Sequence, residues 1–236
     1  MKRGVVVGVV VGVLAVLAAG AWWLARPDAP PPLAVDDVAG ASPGRGQGSV
    51  ADLDGRWVVV PGTDTVAGLR IHEERAVGLG DNTAVGRTGK VTGSLVVADG
   101  QVSSGTFAVD LAAIEFTDDP GLPVANRSAY LRTDALETDR FPEARFELTR
   151  PVRLPARRSA TLRRVRVVGN LELHGVARPM AIRVDVRFDG DRVVLATSRP
   201  VAVRLRDHGI EPPELRGLSK VADEGAFELL VVLGRR

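Results

Sequence analysis

From residue 54 to the carboxyl end, apolar side chains recur at every second position, and a segment with that period buries one face only when it is extended. Met180, Ile182, Val184, Val186 and Phe188 stand against Arg183, Asp185 and Arg187, and Val165, Val167, Leu171 and Leu173 against Arg164, Arg166, Asn170 and Glu172. Phe107, Val109 and Leu111 oppose Thr106 and Asp110; Ala144, Phe146 and Leu148 oppose Arg145 and Glu147. The same alternation marks residues 91–97, 201–205 and 227–233, where Phe227, Leu229, Val231 and Leu233 oppose Glu228; with residues 57–60 and 69–72 it predicts about nine strands. Asp99-Gly100 and Asp189-Gly190-Asp191 are hairpin turn signals. One helical interruption is expected over residues 128–136, with Asp134 and Glu137 as an N-cap pair. Consecutive antiparallel strands with one greasy face must close or stack. The expected fold is therefore all-β, an antiparallel barrel of about eight strands with one or two short helices. Its lumen is either filled or holds one small ligand.

The rest of the composition removes function classes. There is no cysteine, so disulfides, thiol nucleophiles and cysteine-held metals are excluded. The net charge is +2, and Lys2 and Arg3 account for it, leaving the rest of the chain neutral. A nucleic-acid surface needs clustered cations interleaved with stacking aromatics, and with ten aromatics and only three lysines in the chain that class is disfavoured. No nucleophile elbow, phosphate loop or dinucleotide fingerprint occurs, so the reading is of a non-enzyme with no cofactor. His72, His174 and His208 lack metal-ligand spacing, and no metal is expected.

The amino end is different. Residues 4–24 carry no charge, follow Lys2-Arg3 and end on Trp22-Trp23-Leu24, the length and flanks of a single transmembrane helix with a cytoplasmic amino terminus. Ala19-Gly20-Ala21 also fits a signal-peptide cleavage site, which would make the domain secreted. Either way the domain is expected outside the cytoplasm. The organisation expected is 1–24 anchor or signal peptide, 25–53 a Pro/Gly-rich linker without periodicity, and 54–236 the barrel. Gly4, Gly8 and Gly12 would offer a small-residue face to another such helix.

Two stretches carry a resemblance. Residues 126–146, NRSAYLRTDALETDRFPEARF, with Arg127, Leu131, Phe141, Pro142 and Phe146, resemble the signature of the YceI-like polyisoprenoid-binding family. Residues 169–182, GNLELHGVARPMAI, are similar to its strand-pair motif through Gly169, Leu171, His174, Gly175 and Val176, and Asp207-His208-Gly209-Ile210 resembles a family turn. The likeness runs from about Trp57 to Leu233. It implies a lipocalin-like barrel whose interior holds the chain of a long isoprenoid. The wall of such a tunnel would be Leu69, Ile71, Leu95, Val97, Phe107, Val109, Leu111, Leu131, Phe141, Phe146, Leu148, Leu171, Leu173, Val184, Val186 and Leu229. An isoprenoid tail has no hydrogen-bonding groups, so affinity would come from apolar area at about 25 cal/mol per Å².

One basic stretch remains, residues 150–166, with seven arginines and no acid. Arg150, Arg153, Arg157 and Arg158 would suit anionic head groups, at about 1 kcal/mol per charge near a membrane surface; the alternative is a solvated loop paired with acids elsewhere. The competing reading of the whole domain is a filled barrel acting as a protein–protein interaction module of the envelope.

Overall fold

The computed structural model describes residues 29–38, 48–62, 64–75, 81–116, 131–155, 157–158, 161–189, 191–212, 214–215 and 219–236. Residues 4–24, the expected anchor, lie outside this set; among the described residues no helix is long and apolar enough to cross a membrane.

The strands in chain order are β1 (Gly48–Ser49), β2 (Gly55–Val59), β3 (Val66–Arg75), β4 (Asp81–Thr88), β5 (Val91–Ala98), β6 (Gln101–Asp110), β7 (Glu115–Phe116), β8 (Glu143–Leu148), β9 (Val152–Arg153), β10 (Arg157–Arg158), β11 (Thr161–Leu173), β12 (Val176–Asp189), β13 (Arg192–Thr197), β14 (Val201–Arg204), β15 (Glu214–Leu215) and β16 (Ser219–Arg235). Fourteen of them form one antiparallel sheet. Several lie end to end along shared neighbours and act as single staves: β2 with β3, β4 with β5, β6 with β7, β8 with β9, and β13 with β14. Together with β11, β12 and β16 they make an eight-stave, up-and-down barrel. β16 closes it, pairing β2 and β3 on one edge and β13 and β14 on the other.

Two tight turns show why the chain reverses where it does. Asp99 and Gly100 have φ of 53° and 71°, and His174 and Gly175 have φ of 52° and 73°, the paired positive values of a two-residue hairpin whose twist matches its strands. The first was legible as Asp-Gly; the second was read only as part of a motif. A bulge interrupts β11 between Leu162 and Val165, opposite Asp185. The Asp185 carboxylate holds it, accepting from the Arg164 N–H at 2.7 Å, Ser198 Oγ at 2.7 Å and Arg163 Nη1 at 3.0 Å. Burial pushes the Asp185 carboxyl up, but these three donors outweigh it and hold the group below the usual carboxylate range.

Three expectations need correction. Strand β4 was absent from the reading, because Ala84 and Val85 are consecutive and both buried, so no alternation announces it. Of the helix expected over residues 128–136, Leu131–Ala135 form a helical turn, and residues 128–130 lie outside the described residues. Asp134 lies inside that turn rather than capping it, and Glu137 follows it with φ of 44°. The third correction concerns the neck. Residues 29–38 are laid on the outer face of the barrel: Leu33, Val35 and Val38 are buried against Val194, Ala196, Leu230 and Val232. Proline content and lack of period made this segment look like spacer, yet three apolar residues suffice to cover a face that is itself apolar.

Polar bonds fix the same segment. Glu228, with its side chain fully buried, pairs with Arg87 Nη2 at 2.9 Å and Arg70 Nη1 at 3.5 Å and accepts from the Leu33 N–H at 3.3 Å. The two arginines reach onward, Arg70 donating to the Pro30 carbonyl at 2.8 Å and Arg87 to that of Pro31 at 2.6 Å. Arg163 bonds Asp36 at 3.1 Å and Arg187 donates to the Val38 carbonyl at 2.8 Å. Its hydrogen bonds to Asp185 and Asp36 keep the Arg163 guanidinium pKa above its ordinary value.

Candidate ligand cavity

The inward faces of the staves enclose two apolar cavities of about 150 and 130 Å³. The first is bounded by Leu95, Val97, Leu148, Val184 and Val186 together with Leu53, Trp57, Val165, Phe188 and Leu195. The second lies toward the helical turn and is bounded by Leu69, Ile71, Val109, Leu111, Leu171 and Leu173 with Ile114, Leu136, Val203 and Leu205. Phe107, Phe146, Phe227 and Leu229 line both. These four form a waist between the chambers.

Glycines allow the waist. A side chain at Gly93 would meet the Phe107 ring at 2.6 Å, and one at Gly169 would meet the Phe146 ring at 2.4 Å, so each ring lies across a glycine on the neighbouring strand. The lining side chains are only partly buried although they point inward: Phe107, Phe146, Val184, Phe227 and Leu229 keep accessible surface because the space before them is empty. Interiors normally pack to crystal density, and a void leaves its lining without partner atoms. This barrel is therefore hollow along its middle.

Of the expected wall, Leu69, Ile71, Leu95, Val97, Phe107, Val109, Leu111, Phe146, Leu148, Leu171, Leu173, Val184, Val186 and Leu229 line one chamber or both. The Leu131 side chain lies outside the described residues. Phe141 lines neither. Its ring stacks on His174, 4.2 Å between centroids, and covers Gly175, where a side chain would meet it at 2.7 Å. Phe227 was missed as a wall residue although it opens the alternation that includes Leu229. Leu53 and Trp57 were missed because the reading placed the first in the linker and gave the second no partner. Three phenylalanines, Phe107, Phe146 and Phe227, thus stand where the two chambers meet.

The corner around Phe141 joins the motif stretches. His174 Nε2 lies 2.8 Å from Glu137 Oε2, Arg140 Nη1 donates to Glu137 Oε1 at 2.7 Å, and the Arg140 guanidinium sits over the Phe141 ring at 5.0 Å. The Arg140 hydrogen bond, then that of His174, holds the Glu137 carboxyl below its ordinary pKa. His208, buried, bonds the Val176 carbonyl at 2.9 Å. Each of these polar groups is spent on a neighbour, which is the chemistry of a structural latch. Among the described residues no three His, Asp or Glu side chains converge as metal ligands would.

The arginine stretch divides. Arg163 is paired with Asp36 and Asp185, while Arg150 and Arg153 are exposed. Arg157 and Arg158 form β10, which pairs β1; their side chains are outside the described set.

Comparison with known proteins places this architecture. No curated protein matches the chain. A polyisoprenoid binding domain from Saccharophagus degradans, implicated in plant cell wall breakdown, superposes with a TM-score of 0.55 at 15% identity, over 76% of this chain and 98% of that one. The crystal structure of Burkholderia cenocepacia BcnA gives a TM-score of 0.53 at 16% identity, over 74% and 98%. At such identities the likeness is one of fold. The model of the YceI-like domain matches residues 57–233, from the tryptophan that lines the first chamber to the leucine that closes the last stave, and the chain belongs to that family.

Proposed function

We propose that the barrel binds a long apolar lipid, a polyisoprenoid or a molecule of similar shape, in its two chambers, and that it does so outside the cytoplasm on a chain held to the membrane by residues 4–24. The observation that carries the reading is the hollow middle: two apolar chambers lined by inward-pointing Phe, Leu and Val side chains that stay only partly buried. A ligand without hydrogen-bonding groups suits walls without them. Burying one five-carbon unit contributes roughly 4 kcal/mol gross, at about 0.8 kcal/mol per methylene-sized group. The relative from Saccharophagus degradans, described as polyisoprenoid binding, supports the same ligand class. Anionic head groups at Arg150, Arg153, Arg157 and Arg158 would add attraction to a membrane surface. The proposal is for binding and carriage, not catalysis.

Organic extraction of the chain isolated from its natural source, followed by mass spectrometry, is expected to recover one apolar lipid per barrel. Saturable one-to-one binding of geranylgeraniol by lipid-free protein is the second expected result. Failure of both would leave the interaction-module reading in its place.

A further inference from the structure

Among the described residues both ends of the barrel are stoppered. Leu111, Ile114, Leu136 and Leu205 are buried together at one end, and Leu53, Trp57, Phe188 and Leu233 at the other. A long molecule bound inside needs a different way in, and the wall has one stretch where no ladder bond must break. β12 pairs β13 only from Val184 to Asp189, whereas β14, which continues the same stave, pairs β16 alone. Residues 176–182 and β14 therefore face each other without a ladder.

The gap is framed. Ser198 N donates to the Arg183 carbonyl at 2.8 Å below it, and Arg178 Nε donates to the Asp207 carbonyl at 2.9 Å above. Between Arg178 and Arg183 the open edge of β12 runs roughly 16 Å at strand rise. Pro179, which has no N–H to give, lies in this length, as prolines in sheets do at unpaired edges. A groove of about 430 Å³ occupies the gap on the outside, and Leu171 and Val203 line both that groove and the second chamber. Only side chains separate outside from inside here.

We propose that this slot between β12 and β14 is a lateral portal through which the apolar chain of the ligand slides into the barrel. The inference rests on the lipid-binding reading above. Met180, unbranched and adaptable, stands in the slot with Leu171 and Val203 behind it, and rotation of these side chains opens the way while the framing hydrogen bonds stay made. Arg178, Arg204 and Glu224 line the same groove and keep a polar head group wetted at the mouth while the tail passes.

The test measures uptake rate apart from affinity. Geranylgeraniol in mild-detergent micelles is mixed with the full chain in a stopped-flow instrument, and the fluorescence of Trp57, in the far chamber, reports arrival; Trp57→Phe supplies the background of Trp22 and Trp23. Because the chain has no cysteine, Pro179→Cys with Ala202→Cys can be bridged across the slot by a short bismaleimide without side reactions. Ala202→Phe, at an exposed position lining the slot, obstructs it independently without adding a tryptophan to the signal. At least tenfold slower uptake in either obstructed chain, with equilibrium binding within twofold of the unmodified chain, is the expected result. Unchanged rates in both, with binding intact, overturn the portal and leave the carrier. No geranylgeraniol binding to the unmodified chain removes both.

Discussion

Between Phe227 and Leu230 the two faces of β16 differ in the opposite sense to their chemistry. On the inner face Phe227 and Leu229 remain partly accessible, while on the outer face Glu228, at 1%, and Leu230, at 3%, are sealed. A charged residue is thus more deeply buried than the phenylalanine beside it. The difference arises because the inner face looks into an empty chamber and the outer one is covered by residues 29–38. Buried side chains gather at that covered seam and at the two stoppers, while the middle holds the two cavities.

The sharpest way to break this contrast is Glu228→Gln. It leaves Arg70 and Arg87 without their shared counter-charge and weakens the hold on the Leu33 amide, and removing one partner from a buried pair costs about 3 to 5 kcal/mol. Urea unfolding should show a loss of that order; a loss below about 1 kcal/mol would mean that the seam is not where stability resides. Leu33→Ala removes apolar contact from the same seam and should cost about 2 kcal/mol in the same measurement.

The interior should behave differently. Val184→Phe fills space in the first chamber and is expected to raise stability by about 1 kcal/mol, as cavity filling commonly does, while weakening geranylgeraniol binding at least tenfold. Destabilisation by more than about 1 kcal/mol would indicate that the chamber is already close-packed. The smallest effect belongs to the latch. The Glu137 carboxyl is held below its ordinary 4.5 in the folded chain, so its pairing stabilises fully above that pH and fades as the pH falls through the lowered value. The stability difference between the unmodified chain and Glu137→Gln, followed by thermal unfolding, should therefore shrink on acidification below pH 4.5.

Much of the barrel was legible because alternation is a local property: a strand with one apolar face declares that face in its own residues. Leu95, Phe107, Leu171, Val184 and Leu229 could be assigned to the interior on parity alone. Phe141 could not be placed by parity, because it lies just before β8 and is directed by its partners His174 and Gly175, 33 and 34 positions along the chain. Strand β4 was missed where both faces are buried, and residues 29–38 were read as spacer because three apolar residues make no period. Glu228 alternated as a solvent-facing residue should, and nothing near it in sequence announced the cover.

The residues alone were enough to set the all-β class, the inward faces and the exclusion of thiol chemistry, since each follows from side-chain type and spacing along a few residues. Three things waited for the tertiary structure: that the interior is hollow, that the wall parts between β12 and β14, and that residues 29–38 cover the seam. Each depends on how far apart elements distant in sequence come to rest. Volume, ladder pairing and cover are properties of neighbours in space, and period-two patterning records only which side each residue faces.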